Sequence, residues 1–181
     1  MAFFLMLPDG TTGTNEWGNV GGASHQVSTQ SDDDDTSYIY ENRDGHEITL
    51  TTANPSVAEA GIDFDEDINV RVTTNAHYYN GSGTVDMDIK VTGTGITLSA
   101  ATVNVAVDSS YPIYYGLNNG YKALGSDWDY AGLQNAQVYL ECTSRPDRFS
   151  NLRVSYVAIR VDYTAVAVGV ADNATFFGTN F

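Results

Sequence analysis

Residues 153–165 read RVSYVAIRVDYTA. Val157, Ile159, Val161 and Tyr163 fall on one side of an extended chain, and Ala158, Arg160 and Asp162 on the other. A period of two with β-branched and aromatic residues on one side is the pattern of a long half-buried strand. The phase slips once: Val154 and Tyr156 are even, whereas the series from Val157 to Tyr163 is odd. A one-residue slip would turn every later side chain to the opposite face, so the slip predicts a β-bulge near Tyr156. No other segment is as long or as regular. The stretch predicts the closing central strand of an all-β domain.

Working outward, the same period recurs. Val85, Met87, Ile89 and Val91 alternate with Asp86, Asp88 and Lys90, after the turn Asn80-Gly81-Ser82-Gly83 and the series Ile68, Val70, Val72. Two alternating runs around such a turn predict a hairpin. Further strands are predicted at 25–29, 38–41, 46–52 (Ile48 and Leu50 inward), 103–107, 111–115 and 136–143. Residues 8–24 read as a loop anchored by Trp17, 42–45 as a turn and 144–151 as a polar loop. Residues 53–63 read as a connection with one helical turn at 56–60, and 116–135 as a long connection with a turn of helix near 130–133. About 8–10 strands separated by turn signals indicate an antiparallel β-sandwich or barrel. Strands do not alternate with long amphipathic helices, which argues against an α/β fold.

The 181 residues suffice for one domain with a full core. The single cysteine, Cys142, continues the apolar series Val138, Leu140 and is expected to be buried. Asp and Glu number 23 against 8 Lys and Arg, giving a net charge of −15. Such a field repels nucleic acid and anionic membranes, so neither is expected as a partner. No stretch approaches the roughly 18 apolar residues of a membrane span, so no membrane insertion is expected. The opening MAFFLML has no basic residue before it ends at Pro8-Asp9-Gly10, and no secretory signal peptide is expected. Both ends are apolar: Phe3, Phe4, Leu5 and Leu7 at one, Val168, Val170, Phe176 and Phe177 at the other. They are expected either to contact neighbouring subunits or to pack as edge strands on their own sandwich.

Candidate chemistry is sparse. His25, His46 and His77 have no metal-binding spacing, and His46 and His77, at a strand start and a strand end, read as surface or edge residues. One cysteine and no nucleophile elbow argue against nucleophilic catalysis. Asp63, Asp65 and Asp67 have the 1, 3, 5 spacing of a calcium loop, but Ile68 and Thr74 stand where an EF-hand needs Gly and Glu. They are candidate calcium ligands, with a solvated turn as the competing reading. The run 32–35 of four aspartates is read the same way. Asp86 and Asp88 share one face of a strand, which alone does not make the paired carboxylates of a glycoside hydrolase. Tyr114, Tyr115, Tyr121, Trp128 and Tyr130 cluster largely in predicted connections, where exposed rings would stack on sugars and buried rings would anchor loops. Asn80 and Asn173 begin N-x-S/T sequons, used only where a host glycosylates.

Four stretches together resemble β-sandwich virion proteins of tailed phages and archaeal tailed viruses. They are Trp17 with Gly21-Gly22, the aspartate run 32–35 leading into Thr36-Ser37-Tyr38-Ile39, the segment AGLQNAQV at 131–138, and RVSYVAIRVDY at 153–163. The resemblance covers about residues 15–165 and consists of strand signatures, not catalytic motifs. It implies a jelly-roll domain at 15–165, with an N-terminal arm or first strand at 1–14 and a C-terminal arm at 166–181. It implies a non-enzymatic structural protein of a virion, a capsid decoration or tail component that contacts itself and other virion proteins through its termini. Related sandwiches serve as carbohydrate-binding modules, so the alternative is a glycan-binding module of a receptor-binding appendage. Neither reading carries catalytic residues, and no cofactor is expected, with calcium as the one candidate.

Overall fold

In a computed structural model the stretch 151–163 is the centre of a six-stranded sheet, and its apolar row is one wall of the core. The structure describes residues 1–22, 24–25, 29, 36–66, 68–93, 96–97, 101–106, 113–122, 129–144 and 149–167. For 93, 96–97, 101, 106 and 113–122 it describes the backbone alone. The strands are β1 (Ala2–Met6), β2 (Pro8–Asn15), β3 (Gly18–Val20), β4 (Tyr38–Glu41), β5 (His46–Thr52) and β6 (Ile68–Tyr79). They continue as β7 (Thr84–Gly93), β8 (Ile96–Thr97), β9 (Ala101–Ala106), β10 (Ile113–Lys122), β11 (Gln137–Ser144) and β12 (Asn151–Tyr163). A 3-10 turn (Glu59–Gly61) and a five-residue helix α1 (Tyr130–Gln134) complete the described elements. Among the described residues no helix is long and apolar enough to cross a membrane.

The first sheet runs β10-β6-β12-β4-β3, with β1 also on β12; the second runs β2-β5-β11-β7-β8, with β9 also on β7. Every pairing is antiparallel. The chain changes sheet at most connections, which makes the architecture a jelly-roll β-sandwich. Ile68, Val70, Val72, Val154, Val157, Ile159 and Val161 face Ile48, Leu50, Val85, Met87, Ile89, Val138 and Leu140, and all are buried. Burying each such side chain contributes about 1.5–3 kcal/mol. Cys142 is buried among them as a small apolar residue.

The bulge falls where the phase slip predicts it. Val154 pairs with Ala76 and Tyr156 with Asn75, which leaves Ser155 as the extra residue. Beyond it the Val157 N–H donates to the Thr29 carbonyl at 3.0 Å. The opposite face of β12 is less open than alternation suggests. Ala158 and Asp162 are buried too, and Asp162 accepts from Arg71 at 2.7 Å and from Arg160 at 2.9 Å. Burial opposes ionisation of Asp162, but the Arg160 hydrogen bond and the charges of Arg71 and Arg160 outweigh it, holding the carboxyl below its usual range.

Several expectations are corrected. β6 and β7 do not pair as a hairpin, because they lie in opposite sheets and the turn at 80–83, with Asn80 at φ 58° and Gly83 at φ 87°, carries the chain across the sandwich. Two apolar rows joined by a tight turn satisfy either arrangement, and only the partner strands decide between them. Residues 8–24 are not all loop but include β2 and β3, and the supposed connection after 116 is strand as far as Lys122. At the N-terminus Phe4 and Met6 point into the core, so Phe4 is not available for subunit contact. Phe3 (55% exposed) and Leu5 (43%) lie on the outer side. Pairing also runs past Tyr163: Ala165 bridges Ile62, and the Val166 N–H donates to the Gly61 carbonyl. Val168, Val170, Phe176 and Phe177 lie outside the described residues, as do the aspartates 32–35.

Candidate functional site

Two crossings between the sheets meet at one end of the sandwich. The turn 42–45 carries β4 into β5, and Glu16-Trp17 carries β2 into β3. They are adjacent because Gly18 pairs with Tyr40 and Asn15 with Ile48. Trp17 (3% exposed) is the wedge between them; its Nε1–H donates to the His46 carbonyl at 3.1 Å. Its own carbonyl accepts from His25 Nε2 at 2.6 Å. At Gly18 the strand passes close under Tyr40: a Cβ there would stand 2.5 Å from ring carbons of Tyr40 and would push the ring aside.

Between the crossings lies a cleft of about 340 Å³. Its floor holds Glu41, whose side chain is only 4% exposed. Glu41 Oε1 accepts the backbone N–H groups of Asn42 (2.6 Å) and Arg43 (2.8 Å), and Oε2 lies 3.1 Å from His46 Nδ1. A carboxylate accepts only, so Nδ1 of His46 carries the proton and donates. His46 Nε2 faces the cleft, 3.9 Å from Glu16 Oε1. The other Glu16 oxygen accepts from the Glu47 N–H at 3.1 Å. The Arg43 guanidinium, on the cleft lining, has no partner among the described residues.

Tyr40 also belongs to the outer face of the first sheet. Arg153 of β12 stands opposite Tyr40 on one side and His77 on the other. Its guanidinium carbon is 3.4 Å from the Tyr79 ring centroid and 4.3 Å from that of Tyr38. Tyr38 and Tyr40 meet edge to face at 6.3 Å, as do His77 and Tyr79. Cleft and aromatic face are therefore one continuous surface that turns at Tyr40.

The residues singled out from the sequence do not form this surface. Asp63 closes a turn, its Oδ1 accepting the Asp65 N–H at 3.1 Å, and Asp67 lies outside the described residues. Among the described residues no group of three or more His, Cys, Asp or Glu is arranged to hold a metal ion. Asp86 and Asp88 accept from Asn104 and Thr102 on the outer face of the second sheet. Tyr130 opens α1 half-buried, and its hydroxyl donates to the Val57 carbonyl at 3.2 Å, so it anchors a loop and is not part of an open platform. Tyr114 and Tyr115 are in β10, as is Tyr121, expected in a connection, and only their backbone is described; Trp128 lies outside the described residues. Asn80 is at the tip of the 80–83 turn, and Asn173 is outside the described residues.

Sequence reasoning missed Tyr38, Tyr40, Arg153, Glu16, Glu41 and His46. Part of the signal was present: Tyr38 and Tyr40 flank the core residue Ile39, and Arg153 lies in the outward phase before the bulge.

No protein-family model and no curated protein matches the chain. Solved structures similar to it include the CBM36-1 domain of a multidomain xylanase from the hindgut metagenome of Trinervitermes trinervoides. That match has 12% identity and a TM-score of 0.49, covering 91% of this chain and 100% of that one. A carbohydrate-binding module CBM36 in complex with calcium and xylotriose has 13% identity and a TM-score of 0.42, covering 91% and 100%. CBM35 from Cellvibrio japonicus Abf62 has 12% identity and a TM-score of 0.41, covering 91% and 96%. Likeness at this level carries no argument about ligand.

Proposed function

We propose that the chain is a carbohydrate-binding β-sandwich, which holds a saccharide along the surface that turns at Tyr40 and acts by binding, not by catalysis. The supporting observation is the double membership of Tyr40, which lines the polar cleft and meets Tyr38 edge to face beside Arg153. A pyranose presents an apolar C–H face and a rim of hydroxyls. Aromatic rings complement the first, and planar groups that donate or accept complement the second. Asn42, Arg43, Glu16 and His46 supply those groups in the cleft.

A glycan array followed by calorimetry tests this reading. Tyr40→Ala is expected to weaken any saccharide found by tenfold or more while the fold is retained. A well-folded protein that binds no glycan, or an unaffected Tyr40→Ala variant, removes it.

A second reading, an assembly subunit of a virion, draws support from Phe3 and Leu5, exposed on an edge strand that carries no charge. Deleting residues 1–7 would not test it, because Phe4 and Met6 belong to the core. Phe3→Ser with Leu5→Ser preserves the core. Loss of self-association in that variant supports subunit contact through β1, and a monomer both before and after substitution refutes it.

A further inference from the structure

β1 is an edge strand. Among the described residues it pairs with β12 alone, so its other flank presents backbone N–H and C=O groups with no strand beside them. It carries no charge, no proline and no bulge, the devices that keep an edge from pairing. The other edges have such devices or are short. β2 carries Asp9 and two register shifts, β10 has one register shift, and β3 and β8 have three and two residues. At β9, Thr102 and Asn104 donate to Asp88 and Asp86, so two such edges would bring carboxylates together. Exposed apolar side chains concentrate at β1, where Met1 (91% exposed) adjoins Phe3 and Leu5.

The occupant that fits this edge is a second copy of the same strand. Directly opposite residues of an antiparallel pair share a face, so even-numbered residues must meet even-numbered ones if Phe4 and Met6 are to stay in the core. With a twofold axis at Phe4 all five residues pair: Ala2 with Met6, Phe3 with Leu5, and Phe4 with Phe4 of the second copy. The rows set by β12 then continue across the axis. Toward the core, Val161 and Phe4 meet Phe4 and Val161 of the second copy, and Ile159 and Met6 meet its Ala2 and Tyr163. On the outer face Arg160 and Leu5 meet its Phe3 and Asp162, so each outer row holds one cation and one anion. Charge selects the same place. Two chains of net charge −15 repel wherever acidic surfaces meet, whereas β1 is uncharged and Arg71 and Arg160 outnumber Asp162 on the strands behind it. We infer that β1 pairs with β1 of a second copy about this axis, giving a closed dimer with one continuous sheet. The inference rests on the reading of β1 as a subunit contact and adds its partner and register.

Sedimentation of the full chain up to about 500 µM tests the partner, because a five-residue edge is a small interface and the dimer is expected to be weak. Association is expected to stop at two chains. It should strengthen about threefold or more between about 0.05 M and about 0.5 M salt, as the mutual repulsion is screened. Leu5→Lys reduces the net negative charge, yet should weaken the dimer about tenfold or more by placing a charge on the edge. Phe149→Lys makes the same charge change at another exposed apolar side chain and should leave the dimer intact.

Cross-linking tests the register. Cβ atoms of directly opposite residues lie about 4.5–5.5 Å apart and diagonal ones about 7–8 Å, and only the first come within reach of a disulfide. The native Cys142 is buried. On mild oxidation, Phe3→Cys chains mixed with Leu5→Cys chains should form linked dimers containing one of each, and either variant alone should form none. A dimer undisturbed by Leu5→Lys, the absence of mixed linked dimers, or linkage within either single variant overturns the inference. Open-ended oligomers that Phe3→Ser with Leu5→Ser abolishes overturn the closed dimer and keep the subunit-contact reading. A chain that stays monomeric at every salt and concentration overturns both.

Discussion

The guanidinium of Arg153 lies between two aromatic faces, with its carbon 3.4 Å from the Tyr79 ring centroid and 4.3 Å from that of Tyr38. A cation over each ring is worth about 0.5–1 kcal/mol at a partly exposed site. Arg153→Ala is therefore expected to cost about 1–2 kcal/mol in urea unfolding. Arg153→Lys should recover less than half, because a lysine ammonium cannot stack as a plane between two rings. Full recovery by lysine would show that charge alone matters there.

Asp162 predicts an acid dependence. Its carboxyl is held below the ordinary aspartate range in the folded protein despite burial, so folding favours the ionised form. That stabilisation is complete above the range of an unfolded aspartate and is lost as pH falls through the depressed value. Asp162→Asn is expected to cost about 2 kcal/mol at neutral pH, because it leaves Arg71 and Arg160 without their carboxylate. The difference from the parent should shrink in acid. A constant difference from pH 7 to pH 2 would assign the loss to packing.

Tyr139 has one hydroxyl proton and two carboxylates beside it, Glu141 Oε2 at 2.6 Å and Glu47 Oε2 at 2.7 Å. Burial, then the hydrogen bonds and charges of Glu141 and Glu47, push its phenol well above the ordinary tyrosine range. Ultraviolet titration to about pH 11 should show the same number of tyrosines ionised in the folded parent and in folded Tyr139→Phe. The stabilisation conferred by the phenol is complete below the ordinary range and declines as pH climbs toward the raised value. Ionisation of Tyr139 together with exposed tyrosines would contradict the shared hydrogen bond.

Ser155 separates side chain from backbone in the bulge. Its Oγ is buried without a hydrogen-bond partner among the described residues, so Ser155→Ala is expected to be neutral or stabilising by up to about 1 kcal/mol. Deleting the residue should leave the fold intact, because Val154 opposite Ala76 and Tyr156 opposite Asn75 then follow each other in plain alternation and the row from Val157 to Tyr163 stays in the core. Thermal melts of both variants check this. An unfolded deletion variant would mean that the fold needs the local bend and twist of the bulge itself.

The cleft was not legible for a physical reason. His46 and Glu41 are five residues apart across a turn and read separately as a strand start and a strand end, while Glu16 lies 25 residues before Glu41 in what reads as loop. Their meeting depends on which sheet each strand joins, and strand periodicity says nothing about that. The sugar platform placed at 114–130 failed at Tyr130 for a related reason. A partner for its hydroxyl, the Val57 carbonyl, is 73 residues away.

By itself the sequence determined what depends on neighbours along the chain. The period of two specified an all-β fold, the inward row of β7 and the inward row of β12 from Val157, and a phase slip placed a bulge near Tyr156. Tertiary structure alone decided what depends on pairing. It separated β6 from β7, drew β1 into the first sheet, buried Asp162 between two arginines, and brought Glu16, Glu41 and His46 to one cleft. Alternation states which side of a strand is apolar. It does not state which strand lies beside it, and the candidate site is made of such neighbours.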